Sequence, residues 1–192
     1  MQEAMDWFFK MIRIAGVNFP VAASFVQLQA ELNSDKIADR LQKLEDPISF
    51  LHEDVPSVSR EIYQTLVSQD SESLIFNDKF YEKYRRSLAA LNERSFISLS
   101  EAVGVKVPLG IRVTDPSYML YLCVLFEDKI KMEKLINQVD NCQPGQWLDG
   151  QFIKNDIGLP EPVIRAVFEM YEAKGYGLLS KTIGTCKYMG KV

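Results

Sequence analysis

The chain of 192 residues is poor in the side chains that carry most catalytic and metal chemistry. It has one histidine, His52, and three cysteines, Cys123, Cys142 and Cys186. No C-x-x-C pair occurs, so a structural zinc site of known spacing is absent. Three is an odd number, so a fully paired disulfide framework within one chain is excluded. A reducing compartment, and hence a cytoplasmic location, is the simple expectation. Cys123 lies in the apolar run 119–126 and reads as a small buried hydrophobe. A Ser-His-Asp or Cys-His arrangement would have to use His52, which sits in a proline-flanked connection beside Glu53 and Asp54. It reads there as a surface or capping residue. No P-loop occurs, and Gly175-Tyr176-Gly177 lacks the third glycine of a dinucleotide loop, so it reads as a turn. Asp149 and Asp156 are seven apart with no histidine nearby and read as solvent-facing and capping groups. The expectation is a protein that is not an enzyme, with no cofactor and no metal.

Long hydrophobic runs are missing as well. The longest uncharged stretch, 14–30, contains Asn18, Pro20, Gln27 and Gln29. It falls short of the roughly 20 apolar residues a membrane-spanning helix needs. The first residues are acidic rather than basic, which makes a poor secretory signal. The remaining composition is that of a globular protein, 47% apolar and 25% charged. With 22 Lys and Arg against 26 Asp and Glu, the net charge of −4 argues against nonspecific coating of nucleic acid. It leaves room for a local basic patch.

Apolar spacing predicts helices over most of the chain. Trp7, Met11 and Ile14 recur at helical spacing, as do Phe8, Ile12 and Ala15, so the first helix is apolar almost all round. Gly16 and Pro20 interrupt it. Helices over 21–31 and from Ser34 follow, and Asp46-Pro47 ends them. Ser57 is expected to cap a helix carrying Val58, Ile62 and Leu66, and Asn77 a helical region carrying Phe80, Tyr84, Leu88 and Leu91. β-prone stretches surround Gly104 and Gly110. Pro116 sits at a permitted first-turn position of a helical region running to 139. Trp147-Leu148 reads as a short strand, helical pattern returns at 152–157 and 161–174, and 176–192 reads as a hairpin.

Residues 96–104 and 176–184 align without gaps at a separation of 80, with Leu-Ser and Gly in common. At the same separation Gly110 meets Gly190, and Leu88 and Leu91 meet Phe168 and Tyr171. The second copy, with its Gly158-Leu159-Pro160 turn, apolar helix over 161–174, Gly175 and closing hairpin, resembles a winged helix-turn-helix domain. Residues 57–113 resemble a more divergent copy, with 78–83 as its second helix and 84–93 as its third. The fold class implied is mostly α with small β wings. It comprises an N-terminal helical segment over 1–50, a first winged-helix-like unit over 51–113 and a second over 114–192.

Winged helices commonly put helix three into the major groove and rest the wing on phosphate. Here the second helix three is acidic, with Glu161, Glu169 and Glu172 against Arg165 and Lys174, which repels phosphate. Both units are close to neutral, with 8 Lys and Arg against 9 Asp and Glu over 51–113, and 9 against 10 over 114–192. The favoured expectation is therefore a protein-interaction or assembly module, with a regulatory complex as its setting. Its partner, or a second copy, would meet Trp7, Phe8, Phe9, Met11 and Ile12 of the N-terminal helices. The alternative is a DNA-binding transcriptional regulator using Lys83, Arg85 and Arg86 of the first unit with Lys181 and Lys187 of the second wing. Glu3 and Asp6 oppose binding to an anionic membrane surface.

Overall fold

The computed structural model describes residues 51–190 apart from 102, 103, 105, 106, 127, 128, 181 and 183. The helical reading of 1–50 lies outside these residues. Among the described residues the chain is mostly α, with two small three-stranded antiparallel sheets. The first half comprises α1 (Val55–Gln69), β1 (Ser73–Ile75), α2 (Asp78–Glu93), β2 (Ile97–Ser100) and β3 (Gly110–Val113). The second comprises α3 (Pro116–Phe126), α4 (Lys129–Asp140), β4 (Trp147–Asp149), α5 (Gly150–Ile157), α6 (Glu161–Ala173), β5 (Gly177–Leu179) and β6 (Lys187–Gly190). In each sheet the last strand lies in the middle, in the orders β1-β3-β2 and β4-β6-β5.

Local chemistry accounts for these boundaries. Asn77 is extended, and its Oδ1 accepts a hydrogen bond from the Phe80 amide at 3.0 Å, which starts α2. The expected division of 78–83 from 84–93 is not observed. Residues 78–93 form one continuous helix, because no glycine or proline interrupts its hydrogen-bond ladder. In the second half Gly158, in the left-handed region at φ 75°, and Pro160 do separate α5 from α6. Helix α1 also differs from expectation. It starts at Val55 rather than after Ser57, since Pro56 is tolerated in a first turn where its amide would have no partner.

The separation of 80 holds through the helix ends and fails in the hairpins. Ser95 and Gly175 both have left-handed backbone, at φ 60° and 79°. The Phe96 amide donates to the Leu91 carbonyl at 3.0 Å, and the Tyr176 amide to the Tyr171 carbonyl at 3.1 Å. The same helix stop therefore occurs twice. Gly104 and Gly184 also share positive φ. Beyond them the first hairpin is three residues longer. Val113, paired with Ile97, takes the place of Gly190, paired with Gly177. The expected match of Gly110 with Gly190 is corrected accordingly. Since an L side chain is strained where Ser95 sits, Ser95→Gly is expected to stabilise the protein by about 0.5–1 kcal/mol in urea unfolding.

Helix α3 is the centre of the molecule. Its residues Tyr118 to Cys123 are all buried, and it packs on both α1 and α6. Such two-sided burial explains why 119–123 is apolar all round. Tyr118 stacks on Phe96 with ring centroids 5.3 Å apart, and its hydroxyl is 2.8 Å from the buried Ser59 Oγ on α1. In the second half Phe168 of α6 stacks on Tyr188 of β6 at 5.2 Å. As expected, Cys123 is a buried hydrophobe.

Candidate functional site

Helix α6 occupies the position that the resemblance assigns to recognition. It is turned inward, with Val163, Ile164, Ala166, Val167, Phe168 and Met170 buried. Pro160 precedes it and has no side-chain acceptor to cap it. Asp70, at the end of α1 in the other half, does that instead. Its Oδ1 accepts from the Glu161 amide at 3.1 Å, and its Oδ2 accepts from Lys154 Nζ at 2.6 Å. Nearby, Glu72 lies 3.2 Å from Arg165 Nε and 3.5 Å from Arg112 Nη2. Arg165 also donates to the Thr185 carbonyl at 3.2 Å. The cationic side chain of α6 is therefore engaged within the chain. Asp70→Ala removes a helix cap and an ion pair together, and is expected to cost about 1–2 kcal/mol by denaturant titration.

A cavity of about 290 Å³ separates the outer face of the first sheet, at Ser98 and Arg112, from α6, at Pro162, Ala166 and Glu169. Asp115 lines it as well. Asp115 is buried, and its Oδ1 accepts from the Ser117 amide and from Ser117 Oγ, both at 2.8 Å, at the start of α3. Burial pushes its carboxyl up to about 7, against the lowering effect of the Ser117 hydrogen bonds. Burial and the nearby Glu72 charge also raise Glu169. The lining can take up a proton, but it includes no histidine, cysteine or lysine.

The expected basic residues are distributed over both halves. On α2, Lys83 Nζ lies 3.0 Å from Glu61 and 4.3 Å from the Tyr84 ring centroid, so it is held structurally. Arg85 and Arg86 are exposed on the same helix, with no ion pair among the described residues. Lys187 lies on β6 and pairs with Asp149 at 3.3 Å. Lys181 lies outside the described residues, as do Trp7, Phe8, Phe9, Met11 and Ile12. The carboxylates behave as expected. Asp149 caps α5 through the Gln151 amide at 2.9 Å, and Asp156 accepts from Gln138. His52 Nδ1 lies 3.0 Å from the buried Ser87 Oγ. It comes within 4.8 Å of donor atoms on Glu53 and Asp54, a turn of three consecutive residues.

Among the described residues, an exposed apolar row on the second sheet was not expected from the sequence. On the outer face of the second sheet, strand register places Trp147, Met189 and Leu178 side by side across β4, β6 and β5. Trp147 is 53% and Leu178 45% exposed. Phe152, 71% exposed, adjoins Trp147 across a groove of about 480 Å³. The equivalent row on the first sheet is Ser73, Arg112 and Ser98. A signal was present in the sequence. Trp147-Leu148 and Leu178-Leu179 are adjacent apolar pairs, whereas a strand with one buried face alternates.

No family model matches the chain, and neither does any curated protein or solved structure. Among the described residues no helix is long and apolar enough to cross a membrane.

Proposed function

We propose that the chain is a non-enzymatic interaction module built on two tandem winged-helix units and used in assembly. The first half runs helix, strand, helix, strand, strand, and the second, after α3, runs helix, strand, two helices, strand, strand; in both the last strand is central in the sheet, which is the order such units use. The first unit has a single α2 where two helices are usual. The observation that carries the functional reading is the inward packing of α6. The helix that would enter a DNA groove is committed to α3 and to Asp70 and Glu72. The outer face of the second sheet carries an apolar row, Trp147, Met189 and Leu178, as contact surfaces between proteins do.

A second reading, duplex binding through α2, is favoured by Arg85 and Arg86, which are exposed and have no ion pair among the described residues. Anisotropy titration of a labelled duplex with the full chain at low salt separates the two. The module reading expects no saturable binding. Binding that falls steeply with salt and disappears in Arg85→Glu/Arg86→Glu would establish the DNA reading in its place.

A further inference from the structure

We infer, independently of the module reading above, that the junction between the two halves is a proton-controlled hinge, closed while the carboxyl groups at its centre hold protons and opening as they ionise. The chain crosses from β3 to α3 once, through Thr114 and Asp115. Beside that link lies the cavity of about 290 Å³ between the first sheet and α6. Three carboxylates line it from three parts of the chain, Glu72 ahead of β1, Asp115 at the link itself and Glu169 on α6. Among the described residues of the lining, Arg112 is the one cation, and it faces Glu72 at 3.5 Å. Asp115 and Glu169 have no ion pair among the described residues.

The charged groups facing this centre come from every side of it. The turn before β1 gives Glu72, β3 gives Arg112, and α6 gives Glu169 and Arg165, with Glu172 beyond them. Ser98 of β2 and Ser117 of α3 carry no charge. Arg165 is already engaged by Glu72 at 3.2 Å, Glu161 at 3.6 Å and the Thr185 carbonyl. With protons on Asp115 and Glu169 the lining sets Glu72 against Arg112 and is neutral. With both protons released it sets three negative charges against one positive, and like charges held together repel. Parting the sheet from α6 lets water reach the carboxylates and removes that cost. Burial pushes Asp115 up to about 7, and burial and Glu72 raise Glu169, so the closed form holds protons that an opened, hydrated form releases. The advantage of the closed form is therefore full below about pH 3.8 and gone above about pH 7. A polar clasp crosses the same junction, Asp70 on Lys154 and the Glu161 amide, and Glu72 on Arg165. These contacts break when the halves part, while the hydrogen bonds inside each sheet stay as they are.

Native-state amide exchange of the full chain at about pH 5 and about pH 8 tests the hinge, with each rate divided by that of an unstructured peptide at the same pH. The reporters are the amides of Ser117 and Glu161, held by the side chains of Asp115 and Asp70. Both are expected to lose protection at least about tenfold between the two pH values. Parting of the halves exposes little surface, so this exchange should be nearly indifferent to low concentrations of urea, unlike exchange through global unfolding. Asp115→Asn should remove most of the pH step at the Glu161 amide. Glu169→Gln, at a half-buried position on α6, should reduce it without disturbing the core. Asp156→Asn, exposed on α5, should leave it intact. Equal protection at the two pH values overturns the inference. So does a loss that steepens with urea as strongly as that of the buried Leu122 amide in α3, or one that persists unchanged in both Asp115→Asn and Glu169→Gln.

Discussion

Asp115→Asn is expected to remove most of a pH-dependent loss of stability that the wild type shows between about pH 4 and 7. The folded protein holds the Asp115 proton up to about pH 7, whereas an unfolded chain releases it near 3.8. Between those values the native state binds the extra proton. Stability therefore falls as pH rises, and the loss is complete above about pH 7. The two pKa values correspond to at most about 4 kcal/mol. Asparagine keeps the arrangement without the charge. Its Oδ1 can accept from the Ser117 amide, and its Nδ2 can donate to Ser117 Oγ, which now touches both carboxylate oxygens. The variant should match the wild type near pH 4 and exceed it by up to about 4 kcal/mol at pH 8 in urea unfolding. Equal stabilities at pH 8 would show that Asp115 is ionised at little cost in the folded protein.

Tyr118→Ala is the second change with a large expected effect. The ring is fully buried, stacks on Phe96 and Tyr121, and shares a hydrogen bond with Ser59. Truncating a buried aromatic residue costs about 3–5 kcal/mol. That is a large share of a typical total of about 5–15 kcal/mol. The loss should not stay local. Because α3 lies against both α1 and α6, amide exchange protection should fall in both sheets together. Exchange that rises in the first sheet while the second is unchanged would show that the halves open independently. Tyr118→Phe keeps the ring and leaves the Ser59 hydroxyl without its partner, so it should cost only about 1–2 kcal/mol.

Features carried by local chemistry were legible in the sequence. Asn77, Gly158 and Gly175 mark helix ends by rules that involve only a few neighbours, and the structure places helix ends there. The apolar run around Cys123 announced burial. The length of α2 was misjudged because the division at residue 83 was imposed by resemblance and not by any breaker between 78 and 93. Gly110 and Gly190 were paired because an ungapped alignment cannot sense three additional residues in a hairpin. The candidate surfaces were less accessible still. Capping of α6 by Asp70 joins residues 91 apart in sequence, and no local pattern reports such a contact. The Trp147, Met189 and Leu178 row exists only once three strands are in register, although the paired apolar residues within β4 and β5 hinted at two sticky faces.

The carboxylate that completes the start of α6 has a consequence for how the chain comes into being. A ribosome adds about 5–20 residues per second, so Asp70 emerges several seconds before the amide it will hold. By then α1, β1 and α2 have had time to form, since helices and hairpins close in microseconds. The earlier half thus stands ready as a mould against which the later helix is set, and the direction of synthesis coincides with the order in which the two halves can be joined.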